Sequence, residues 1–141
     1  MKRFSYLITL TLMIGAALLA SCGADPQAAC QEQVRAYTQQ VNPITTEWAA
    51  AVQRATSAPQ ADLPPAIASM QAIRQRTDGV AVPECARNAQ SLLTRSMDMQ
   101  LQGFRDTLDA KPPSIIQQEF ASAAQTFGNF EAEIRRLAGA P

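Results

Sequence analysis

The chain contains no histidine, and aromatic residues make up only 6% of it. The first absence removes the commonest general base and metal ligand, and with it the Glu-x-x-His pairs that di-iron helical bundles require. No Gly-rich phosphate loop, Cys-x-x-Cys or Gly-x-Ser-x-Gly occurs, so phosphate cradling, dithiol redox chemistry and elbow-type hydrolysis have no footing here. There is no charge excess, since 12 Lys and Arg balance 12 Asp and Glu. A near-neutral surface lacks the basic footprint of a nucleic-acid binder and gives no polybasic aid to membrane attachment. We read no catalytic residue, no metal ligand and no cofactor from the sequence, and expect a protein that is not an enzyme.

What is present begins at the amino terminus. Lys2 and Arg3 precede a run from Phe4 to Ala20 without a charged residue, and small residues follow. That is the layout of an export signal. The run is at the lower limit for spanning a bilayer, and no second span comes after it. Because the basic residues come first, the positive-inside rule places everything after Cys22 away from the cytoplasm. Without Lys2 and Arg3 the remainder is slightly acidic.

Leu19-Ala20-Ser21-Cys22 resembles the lipobox of bacterial lipoproteins, in which a leucine and two small residues precede an invariant cysteine. The resemblance implies that residues 1–21 are a lipoprotein signal peptide and that the Cys22 thiol takes a diacylglyceryl group. The chain is then cut just before Cys22, leaving residues 22–26 as a short tether to a helical domain over 27–141. It also implies an address in the cell envelope, lipid-anchored on the non-cytoplasmic side of a bacterial membrane. Gly23 rather than Asp after the cysteine favours the outer of two membranes. Each buried methylene adds about 0.8 kcal/mol, so two or more acyl chains hold a protein stably where one does not. Taken alone, the residues leave a second reading open, an ordinary export signal in which Cys22 is incidental.

From Asp25 onward the chain is rich in Ala, Gln, Arg, Glu and Leu and shows no strand-like alternation, which reads as helix. In the first segment Cys30, Val34, Tyr37, Val41, Ile44, Trp48, Ala51 and Ala55 fall at alternating steps of three and four. Ile116, Phe120, Ala123, Phe127, Phe130, Ile134 and Leu137 do the same in the last. Such seams mark helices packed side by side. Pro43 lies inside the first seam, where it removes a donor and crowds the preceding turn, yet the apolar phase runs through it. This favours one long helix over about 27–57, kinked near Pro43. The rival is two helices, with Asn42 as N-cap and Pro43 in the first turn.

Ser57 to Asp62 breaks the pattern. A second, shorter helix fits Leu63 to about Thr77, with Pro64 and Pro65 in its first turn and Leu63, Ile67, Met70 and Ile73 facing inward; Asp78-Gly79 ends it. Val80 to Pro83 reads as extended. Glu84 to Asp109 forms a third helix on Leu92, Leu93, Met97, Leu101, Phe104 and Leu108, and a fourth covers about 115–138. The expected fold is all-α, an up-down-up-down four-helix bundle. The extended stretch after the short second helix returns Cys85 to the level of Cys30. With Cys22 consumed by lipid, these two form an even pair in an exported chain, and a disulfide between them is expected; two unpaired buried thiols are the other reading.

The remaining candidates read mainly as structure. Trp48 and Tyr37 lie on a core seam, although Trp48, Phe104 and Phe127 together could line a pocket for a small apolar ligand. Met70, Met97 and Met99 fit core gaps better than a soft-metal site. Arg74 and Arg76 could clamp an anion, but salt bridges are the commoner use. Glu131 and Glu133 point to different sides of a helix and read as a solvated face. Gly103 and Gly128, each inside a helix, mark places where helices three and four touch.

The arrangement W-x-x-A from Trp48, Pro59, L-x-x-x-I-x-x-M-Q-A-I-R over 63–74, V-P-E-C over 82–85, and Met97 with Gly103-Phe104 looks like a group of small exported helical proteins of unassigned function from filamentous and photosynthetic bacteria. The likeness rests on packing residues over about half the chain and carries no activity. The functional expectation is a lipid-anchored bundle that binds or stabilises another envelope protein. The alternative is a carrier of a small apolar ligand in the bundle core.

Overall fold

The computed structural model describes residues 25–139. Residues 1–21 and Cys22, and with them the expected signal peptide and lipid attachment, lie outside the described residues. Four helices make up the body: α1, Pro26–Ser57; α2, Leu63–Arg76; α3, Arg87–Leu108; and α4, Pro113–Leu137. Among the described residues there is no strand, and the protein is an all-α helical bundle.

Asp25 starts α1 by accepting the Gln27 amide on its carboxylate at 3.0 Å, with Pro26 in the first turn. The helix then runs 32 residues, about 48 Å, without interruption at Pro43. Asn42 is therefore not a cap. Its carbonyl instead accepts the hydroxyls of Thr45 and Thr46 at 3.0 and 2.9 Å. The apolar seam explains why the helix survives the proline. Val34, Tyr37, Val41, Ile44, Trp48, Ala51 and Ala55 are all buried, and breaking the helix at Pro43 would rotate half of that stripe out of the core.

The short α2, 14 residues, buries Leu63, Ile67, Met70 and Ile73. Its end differs from expectation. Thr77–Gly79 is a 3₁₀ turn, and Gly79 does not take the left-handed conformation of a glycine cap. At this junction the Thr77 hydroxyl donates to the Arg74 carbonyl at 2.7 Å. Val80 to Pro83 is non-helical, with extended backbone at both ends. Glu84–Ala86, expected as the start of α3, is likewise a 3₁₀ turn, with the α-helix beginning at Arg87.

Three cross-links run in the same order along α1 and α3: Cys30 to Cys85, Tyr37 to Gln90, and Trp48 to Gln100. These two helices are therefore parallel. Asn88 meets Glu133 and Phe104 meets Phe120, so α3 and α4 run in opposite directions. That pair shares the most extensive contact in the bundle, whereas α1 and α4 touch only lightly.

Small residues bring α3 and α4 together. Ser96 is 1% exposed and donates to the Ala123 carbonyl at 3.1 Å. A Cβ on Gly103 would sit 3.0 Å from the Phe120 ring. Ala89, Ser96 and Gly103 stand at heptad steps on one face of α3, so the helix backbones can approach closely there. Gly128 does not belong to this contact. It is exposed, and a Cβ there would meet nothing within 4 Å. The α4 seam is half-buried over most of its length, with only Ala123 and Phe130 fully inside, because α1 covers it so little.

At the end of α3 the Lys111 amide donates to the Asp106 carbonyl at 2.9 Å and that of Ala110 to Thr107 at 3.2 Å. This closure requires a left-handed residue, and Ala110, at φ 51°, fills a place usually taken by glycine. Gly139, at φ 73°, occupies the equivalent place after α4.

Candidate functional site

Two regions of the bundle carry enough organised chemistry to be considered as sites. They lie at opposite ends of α1.

The first lies toward the start of α1. Cys30 and Cys85 form a disulfide with a Cα–Cα distance of 6.3 Å. One to two turns further in, the Tyr37 hydroxyl donates to the Gln90 side-chain carbonyl at 2.7 Å, and the Gln90 amide donates to the Thr77 carbonyl at 2.8 Å. The chain of bonds continues to Arg74, whose guanidinium donates to the Thr77 hydroxyl at 3.2 Å, to Asp78 at 2.7 Å and to both oxygens of Asp98 at 2.9 and 3.3 Å. One polar network thus ties α1, α2 and α3 together. Burial holds the Tyr37 phenol in its neutral form, its pKa pushed up to about 12. For Arg74, partial burial pulls the pKa down, but the hydrogen bonds and charges of Asp98 and Asp78 outweigh it and raise it overall. Each guanidinium nitrogen of Arg74 is engaged within the chain, and Arg76 pairs with Glu47 at 2.5 Å. The expected use of these arginines in salt bridges is what the structure contains, not an anion clamp.

Glu133 corrects the reading of an unpartnered solvated carboxylate. Its side chain is 16% exposed, accepts two bonds from Arg136 at 2.7 and 2.8 Å, and accepts a third from Asn88 at 3.3 Å. The Arg136 bond holds the Glu133 carboxyl below the usual range, against a smaller opposing effect of burial. Glu131 is exposed. No three His, Cys, Asp or Glu side chains among the described residues come together as a metal site. Each buried side-chain nitrogen and oxygen among them has a partner.

The second region is an apolar hollow of about 300 Å³ at the far end of the bundle, lined by Val52, Ala55, Ala58, Leu63, Phe104 and Phe120, with Thr56 and Thr107 beside them. Of the three residues expected to line an apolar pocket, only Phe104 is here. Trp48 is 4% exposed and buried in the α1–α3 seam, its indole N–H donating to Gln100 at 2.7 Å. Phe127 packs on Phe130 with ring centroids 5.6 Å apart. Met70 and Met97 are core residues at 0% exposure, and Met99 accepts a weak bond from Thr126.

The position of the hollow could not be read from aromatic spacing because small residues create it. Ala55 in the last turn of α1 and Ala58 just past its end present almost no volume. Phe120 is drawn down onto Gly103 and set edge-on to Phe104, with centroids 5.0 Å apart and planes at 73°. No helix among the described residues is long and apolar enough to cross a membrane. The protein-family models, curated proteins and solved structures compared with this chain include none that matches it.

Proposed function

We propose that this chain is an exported, lipid-anchored helical bundle without enzymatic activity that binds or stabilises a membrane-associated protein of the bacterial envelope. The Cys30–Cys85 bridge is the observation that carries the reading. Structural disulfides persist in oxidising compartments outside the cytoplasm, which fits the export signal and the Leu19-Ala20-Ser21-Cys22 motif at the amino end. The start of α1 at Pro26 limits the tether from Cys22 to about 14 Å even when fully extended. A body held that close to the bilayer meets membrane-bound partners in preference to free ones. The absence of histidine, and the engagement of Arg74 and Glu133 within the chain, support a binding role over a catalytic one.

Replacing Cys22 by Ser tests the anchor. The expected result is an unprocessed chain that no longer partitions into detergent; unchanged processing and partition would overturn the address. Crosslinking of the full chain in native membranes tests the role, with capture of one specific envelope protein expected. Recovery of lipid alone would count against it.

A further inference from the structure

The geometry points to a second, independent property: the hollow at the carboxyl-terminal end of α1 is a binding site for a small neutral apolar molecule, a single-ring aromatic or a short branched hydrocarbon. Its residues come from all four helices. The volume of about 300 Å³ is at the small end of the range of ligand pockets. The hollow is partly open to solvent, and neighbouring side chains would ordinarily fold over apolar surface of this extent unless something keeps it clear. Here two features do so. Ala55, 2% exposed, sits where a larger core side chain would fill the space. Gly103 lets the Phe120 ring settle within 3.0–3.2 Å of its absent Cβ, and the edge-on contact with Phe104 keeps that ring on α3 and away from α1.

The lining also selects the ligand. No charged side chain borders the hollow. Its two hydroxyls are turned into their own helices, Thr56 donating to Val52 and Thr107 to Gly103, both at 2.9 Å. A carboxylate or phosphate entering here would lose its water and gain no donor. A neutral apolar molecule loses nothing and meets two aromatic rings. The protein's own lipid is not the occupant. Ala55 lies about 44 Å along α1 from Pro26, beyond the combined reach of a tether of about 14 Å and an acyl chain about half as long as the 30 Å bilayer core.

The test is photolabelling of the purified full chain with 3-trifluoromethyl-3-phenyldiazirine, followed by peptide mapping. Saturable labelling of the segments containing Val52 to Ala58, Phe104 to Thr107 and Phe120 is expected. It should be competed by toluene and not by octanoate, and Ala55→Leu should reduce it at least tenfold while leaving the helix content and the disulfide intact. Ala58→Phe, at the rim, gives the same reading should Ala55→Leu fail to fold. Labelling that does not saturate and follows surface exposure would overturn the site, as would labelling unchanged in both filled variants. Octanoate competing as well as toluene would overturn the ligand class. The labelling is done on purified full chain with no membrane present and its outcomes do not depend on Cys22, so failure here leaves the anchored-bundle reading untouched, and the reverse holds.

Discussion

Tyr37 shows how one side chain can make the bundle sensitive to alkali. At 1% exposure it is bonded to Gln90 and titrates near 12, against 10.0 for a free tyrosine. The folded state holds its proton more tightly than the unfolded state. The stabilisation this represents is complete below pH 10.0 and is lost as pH rises toward about 12. A rise from 10.0 to about 12 corresponds to about 3 kcal/mol. Urea denaturation at stepped pH should show that loss in the wild type. Tyr37→Phe should be about 1 kcal/mol less stable at neutral pH, because Gln90 loses a partner, yet nearly flat across the alkaline window. A variant as alkali-sensitive as the wild type would assign the transition to another group. Tyr37 was legible in the sequence as a seam residue. Its network was not, because Gln90, Thr77 and Arg74 come from three separate stretches and no local pattern pairs them.

At the scale of the helix, phase was legible and burial was not. Each seam residue expected in α1 from Val34 to Ala55 is buried, and so are Leu63, Ile67, Met70 and Ile73 of α2. The α4 stripe has the same periodicity, but Ile116, Phe120, Phe127, Ile134 and Leu137 remain half-exposed. Periodicity identifies the inward face of a helix and does not tell how fully its neighbours close over it. The two mid-helix glycines make the same point and can be separated by experiment. Gly128→Ala should stabilise the protein by about 1 kcal/mol, since the position is open and glycine is the poorer helix former. Gly103→Ala should destabilise it by about 1 kcal/mol, because the added methyl displaces the Phe120 ring. Chemical denaturation reads both, and like signs for the two variants would contradict the packing described here. The hollow beside Phe104 escaped the sequence for a related reason. Its walls include two aromatic rings, but its existence depends on Ala55 and Ala58 being small, and the spacing that places Ala55 on the seam does not tell that its small side chain leaves space unfilled.

For the molecule as a whole, the disulfide is the longest-range constraint, joining residues 55 apart in sequence. Closing a loop of that length is worth about 4 kcal/mol on the chain-entropy account. Cys30→Ser with Cys85→Ser should lower the unfolding free energy by about that amount. Wild-type protein unfolded in the presence of a thiol reductant should coincide with the double variant. Identical stability with and without reductant would show that the bridge contributes nothing. The pairing was legible because the short α2 and the extended stretch after it fix where α3 can begin, a matter of lengths and not of local chemistry.

The bridge also determines how the bundle answers a pull. Force arriving through the chain ahead of Asp25 enters at the first turn of α1, where an unbraced helix would peel away one hydrogen bond at a time. One turn later it meets Cys30 and passes covalently into Cys85 at the head of α3, the helix with the broadest contact to α4. The load is then spread as shear over two packed helices. Beyond that first turn, α1 cannot be stripped from its amino end while the sulfur link is intact.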